Sequence, residues 1–138
     1  MRHALPILAA IVLSACANTP GAPPSGGNDA LIGAEWRLED LLGGGIIDNS
    51  HVTMTLAEGG SAAGSGGCNR YFGSWARPSA GKLTLSQMGS SRMACAPALM
   101  DQEDRFLRAL ETAADYAFTP DGALVVGTAQ GPLRFRKD

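Results

Sequence analysis

Cys68 and Cys95 carry the most definite chemistry in this chain, because a thiol can close a disulfide, attack as a thiolate or ligate a metal. They stand in two short stretches, Gly66-Gly67-Cys68-Asn69-Arg70-Tyr71-Phe72-Gly73-Ser74-Trp75 and Ser90-Ser91-Arg92-Met93-Ala94-Cys95. The remaining cysteine, Cys16, ends an N-terminal apolar run. In an oxidising compartment Cys68 and Cys95 are therefore each other's only intramolecular partner in the body of the chain. A bond between positions 68 and 95 closes a loop of 27 residues, for which chain entropy gives about 3.5 kcal/mol of stabilisation. A redox-active cysteine and a single metal ligand are the competing readings of the same pair.

Other chemistry is poorly supplied. A structural zinc site needs four ligands, and of the two histidines only His51 lies in the body of the chain. No serine sits in a G-x-S-x-G setting, and Gly64-Ser65-Gly66-Gly67 leads into no helix that could offer its dipole to phosphate. Asp101, Glu103 and Asp104 read as the solvated face of a helix, near the positive end of its dipole. They lack the ligand spacing and turn glycine of a calcium loop. The expectation is a non-catalytic protein without cofactor or metal, with a thiol- or serine-dependent enzyme as the distant alternative. Arg70, Arg92 and Asn69 remain as candidate contacts for a partner, the guanidinium groups above all. Tyr71, Phe72 and Trp75 read as core or lid, and Asn69 reads equally as a side chain bonding its own turn.

The elements that must position these residues follow from periodicity. Trp36-Arg37-Leu38-Glu39, Val52-Thr53-Met54-Thr55-Leu56 and Leu83-Thr84-Leu85 alternate as half-buried strands. Ser61 to Ser65 returns from a hairpin turn at Glu58-Gly59-Gly60, and Gly43-Gly44-Gly45 reads as a flexible loop. The Gly66-Gly67-Cys68 run reads as a tight bend. Pro97 to Ala114 predicts a helix with Leu99, Phe106, Leu107, Leu110 and Ala114 on its buried face. Asp101 with Arg105, and Asp104 with Arg108, would line its outer face at the four-residue spacing. Three strands follow, around Tyr116-Ala117-Phe118, Leu124-Val125-Val126 and Leu133-Arg134-Phe135, with a turn at Thr119-Pro120-Asp121-Gly122. Strands on both sides of one helix predict an α+β fold in which an antiparallel sheet curls around residues 97–114.

Ser65 to Gly73, Ser91 to Cys95, the helix from Met100 to Leu110, Trp36 in the first strand and the closing Leu133-Arg134-Phe135 resemble the META domain family. That family includes HslJ-like bacterial envelope proteins. The resemblance spans roughly Leu31 to Lys137, and the domain is drawn at 31–138. It departs from the family pattern by an extra glycine before Cys68, Trp75 in place of tyrosine and Ser91 in place of threonine. It implies a strongly curved antiparallel β-sheet or open barrel with one helix, an association with heat or antibiotic stress, and kinship with pilot lipoproteins of secretion machines. It implies no agreed molecular activity.

The N-terminus reads as an export segment. Residues 1–15 offer Arg2, His3 and an apolar run too short to span a bilayer. Leu13-Ser14-Ala15-Cys16 resembles a lipobox, which would make Cys16 the lipidated mature N-terminus and anchor the protein to a membrane. Residues 16–30, rich in Pro, Gly, Ser and Asn, read as a tether. Ala17 resembles the sorting pattern for the periplasmic face of the outer membrane. A formal charge of -2, becoming -3 once Arg2 leaves, with both signs interspersed, argues against a nucleic-acid partner. The function expected is a binding or stress-response module of the cell envelope, alternatively an inhibitor or pilot-type lipoprotein for one envelope protein.

Overall fold

The structure is a computed structural model and describes residues 29–138. The expected signal segment, the expected lipidation site Cys16 and the expected tether up to residue 28 lie outside the described residues. Eight strands form one antiparallel sheet: β1 Glu35–Leu41, β2 Thr53–Leu56, β3 Ser61–Ser65, β4 Arg70–Ala76, β5 Thr84–Ser90, β6 Ala113–Phe118, β7 Leu124–Thr128 and β8 Gly131–Lys137. Their order is β5-β4-β3-β2-β1-β8-β7-β6, with the single helix α1, Pro97–Leu110, between β5 and β6 in sequence. The fold is an α+β curled half-barrel, as the strands on both sides of one helix and the family resemblance imply.

Alternation decides which side chains line the concave face. Trp36 and Leu38 of β1, Met54 and Leu56 of β2, Tyr71 of β4, Leu124 and Val126 of β7, and Leu133 and Phe135 of β8 are all buried. Their neighbours in sequence point outward, as a period of two requires. Helix α1 closes the concavity by inserting Phe106 between Tyr71 and Phe135, with ring centroids 5.7 and 6.3 Å away at steep interplanar angles. Edge-to-face packing of this kind adds to the gain from burying the rings.

The two end strands meet at one end only. Lys82 bridges Asp115, the Leu83 amide donates to the Ala114 carbonyl, and the Tyr116 amide donates to the Gly81 carbonyl. Towards Ser90 the strands part. The turns at Glu58-Gly59-Gly60, Ser79 to Lys82 and Thr119 to Gly122 form where the glycines placed them, with Gly122 at a φ of 82°.

Four expectations are corrected. The helix ends at Leu110 rather than Ala114, because Ala113 pairs with Thr128 and starts β6. The Thr112 hydroxyl donates to the Ala109 carbonyl and accepts from the Ala129 amide, fixing the change of direction. Residues 70–76 are a full strand pairing with β3 and β5, so the bend itself is confined to Gly66–Asn69. The glycine loop after β1 is tied down, since the Asp40 carboxylate accepts from Gly43 N–H at 2.6 Å and Gly45 N–H at 2.8 Å. Finally, neither Asp101 with Arg105 nor Asp104 with Arg108 is among the ion pairs of the described residues, although all four are exposed. Water competes well for such charges.

Candidate functional site

The bend carrying Cys68 is built by a helix residue. Glu103 is only 5% exposed, and its Oε2 accepts from the Cys68 amide at 2.9 Å and the Asn69 amide at 2.6 Å. Its Oε1 accepts from Asn69 Nδ2 at 2.7 Å. A buried carboxylate is tolerable only where donors replace lost water, and here three do. By residue type Glu103 belongs with the solvated charges of the helix, yet it stands three positions before Phe106 and four after Leu99, on the inward stripe of the helix. That periodicity was the available signal for it. Its neighbour Gln102 is also buried and holds the loop after β1, accepting from the Ile47 amide at 2.7 Å and donating to Ser50 Oγ at 2.9 Å.

Asn69 extends the network sideways. Its side chain reaches past its own turn to the segment after β5, where Oδ1 accepts from the Met93 amide at 2.6 Å and from Ser91 Oγ at 3.1 Å. Its Nδ2 also donates to the Met93 carbonyl at 3.3 Å. With 5% of its surface exposed, Asn69 spends its polar atoms inside the protein and is a positioning residue for Met93.

Cys68 and Cys95 form a disulfide, with Cα atoms 6.0 Å apart. Both sulfurs are thus held in one bond, and the bond joins the bend to the same segment that Asn69 grips. The glycines before Cys68 serve two different needs. Gly67 has a φ of 111°, which L side chains rarely adopt, whereas Gly66 is needed for space, because any side chain there would collide with the Glu103 carboxylate.

What faces outward is apolar and cationic. Arg70 and Phe72 lie on the outer side of β4, and Phe72 is 62% exposed, its ring resting on Gly89. It is neither core nor lid. Tyr71 is core: its hydroxyl donates to the Thr53 carbonyl at 2.7 Å, and burial pushes its ionisation well above the ordinary range. Trp75 packs against the edge of the core and donates to the Ala57 carbonyl. Arg92 and Met93 are exposed beside the disulfide, Met93 by 60%. His51 is exposed and lines a hollow with Gly67 and Leu99 on the other side of the bend. Among the described residues no three histidine, cysteine or carboxylate side chains gather as a metal cluster.

Fold and bend together define a small α+β half-barrel in which the bend between β3 and β4 is tied to the segment after β5 by a disulfide and to the helix by a buried carboxylate. The chain belongs to the META domain family, which matches residues 29–138. A solution NMR structure of a protein from Burkholderia xenovorans is similar at 24% identity, covering 87% of this chain and 97% of that one with a TM-score of 0.63. A second NMR structure is similar at 27% identity, covering 75% of this chain and 87% of the other with a TM-score of 0.60. No curated protein matches the sequence.

Proposed function

We propose that this META-domain protein is a non-catalytic lipoprotein of the bacterial envelope, anchored through Cys16 on the periplasmic face of the outer membrane. There it works as a binding module in resistance to heat or antibiotic stress. The observation that carries the reading is the division of labour at the bend. Glu103, Asn69 and both sulfurs are consumed in holding the backbone, while Arg70, Phe72, Arg92 and Met93 are displayed on it. Arginine and aromatic side chains held on a rigid support are the residues that concentrate binding energy in protein interfaces. An inhibitor or a pilot for one envelope protein would use the same surface. A lipid anchor also suits a module that acts by holding another protein near a membrane.

The test is affinity capture from envelope extracts, with Arg70→Ala and Arg92→Ala beside the unaltered protein. Loss of one captured species in both variants is expected, and equal recovery of every species by all three would remove the surface. Mass analysis of the mature N-terminus tests the anchor separately, since an unmodified Cys16 overturns it.

A further inference from the structure

Strand β5 ends the sheet, and beyond its contacts near Gly81 to Leu83 no strand of the described residues lies on its far side. The Ser91 amide donates to the Arg70 carbonyl, so by the alternation of an antiparallel ladder the N–H and C=O of Ser90 point away from β4. They face a cleft between β5 and α1. A bulge opposite Gly73 shapes this edge: Gln87 takes a φ of 53°, and Met88 turns inward so that its sulfur covers Gly73. Bulges re-aim side chains in this way beside functional clefts.

The cleft consists of two adjoining hollows of about 200 and 150 Å³ that share Ser90, Arg92 and Leu107. Its charges are ordered. Asp104 lines the first hollow, Glu111 the second, and Arg92 stands where they join. None of the three enters an ion pair with another described residue. An unpaired backbone donor and acceptor at the base of an open cleft is the recognition feature of strand addition, in which main-chain bonds hold the ligand and side-chain pockets select it.

We propose that an extended segment of a partner protein adds to β5 at Ser90, carrying an acidic side chain opposite Arg92 and basic side chains towards Asp104 and Glu111. This rests on the binding-module reading and names the chemistry of its partner. Apolar residues alternating with those charges meet Phe72 and Gly89 on the outer side of the edge.

The probe is an acetylated, amidated heptapeptide in which valine alternates with lysine, glutamate and lysine. It is titrated into the full chain, isotope-labelled and held in micelles. The Ser90 amide signal is expected to shift and to gain protection from hydrogen exchange. A charge-inverted peptide, and one N-methylated at its central residue, are each expected to bind at least tenfold more weakly, and Arg92→Gln to reduce the preference over the inverted peptide to under threefold. Equal binding of the three peptides, or no response at Ser90, overturns the proposal. A photo-crosslinker placed in cells at position 107 or at position 72 separates the two readings. A protein linked at 107 supports strand addition, one linked at 72 alone sinks it and leaves the binding module standing, and links at neither position sink both.

Discussion

The carboxylate of Glu103 fills the space that a side chain on Gly66 would occupy, so a helix residue and a hairpin residue far apart in sequence are fitted to one another. Three donors converge on that carboxylate from Cys68 and Asn69. Glu103→Ala leaves them without acceptors in a buried place, which costs about 3 kcal/mol. Glu103→Gln keeps the shape and part of the bonding and is expected to lose about half as much. Urea unfolding of the oxidised protein would show the midpoint falling at constant slope, and an unchanged midpoint in Glu103→Ala would refute the clamp.

Reduction of the disulfide should lower stability by about 3.5 kcal/mol on the loop-closure argument, yet leave the segment around Met93 in place. Asn69 holds the Met93 backbone at both its amide and its carbonyl, independently of the sulfurs. In a Cys68→Ser, Cys95→Ser protein the amide shifts of residues 91–93 are expected to persist. Adding Asn69→Ala should then release the segment, with a loss greater than the two separate losses together, as coupled neighbours show. If the double serine variant already frees residues 91–93, Asn69 has been given too large a part.

The strands were legible in the sequence because a half-buried sheet imposes a period of two, and Trp36, Leu38, Met54 and Leu56 obey it. Strand β4 was harder to see, since Gly73 and the bulge across from it interrupt the alternation at its centre. Phe72 shows how a local rule misleads: an aromatic ring next to a buried tyrosine reads as core, but its strand position turns it outward onto Gly89. Glu103 and Gln102 were hidden for a different reason. Their partners lie 34 and 35 residues away for Glu103, and 52 and 55 for Gln102, so their bonding has no local mark in the chain, and only the spacing of Glu103 to Leu99 and Phe106 hints at its inward position. The helix end was misplaced because Ala113 and Ala114 favour helix by propensity, and it is the pairing with Thr128 that overrides them.

Alkali should unfold the protein through Tyr71. Burial raises its folded-state ionisation above the unfolded value near pH 10, so above that pH the unfolded chain releases a proton that the folded chain keeps. Stability is therefore intact below about pH 10 and falls as pH rises beyond it, by up to about 1.4 kcal/mol per unit. Tyr71→Phe removes the hydroxyl bond to the Thr53 carbonyl, costing about 1 kcal/mol at neutral pH, and should flatten the alkaline limb. Chemical unfolding between pH 9 and 11 decides it, and parallel slopes for the two proteins would contradict the assignment.

Acid should weaken the turn before β7, where Asp121 joins two arginines of β8. Its carboxylate accepts from the Thr119 hydroxyl and from Arg134 Nη2 at 2.9 Å, and lies 3.3 Å from Arg136 Nη2; Glu39 bridges the same two arginines from β1. The Thr119 hydroxyl above all, opposed by desolvation and helped by Arg134, by a backbone hydrogen bond and by Arg136, brings the Asp121 pKa down to about 2. A carboxylate depressed on folding contributes stability above its unfolded pKa, and that contribution fades as pH falls from about 4 towards the folded value. The group is exposed, so salt should weaken its partnership with the arginines while leaving the neutral Thr119 bond largely intact. Asp121→Asn is therefore expected to lower the thermal midpoint slightly at pH 7 and to lose part of the acid dependence between pH 4 and 2. An acid limb identical to that of the unaltered protein would mean that this carboxylate contributes nothing to holding β7 against β8.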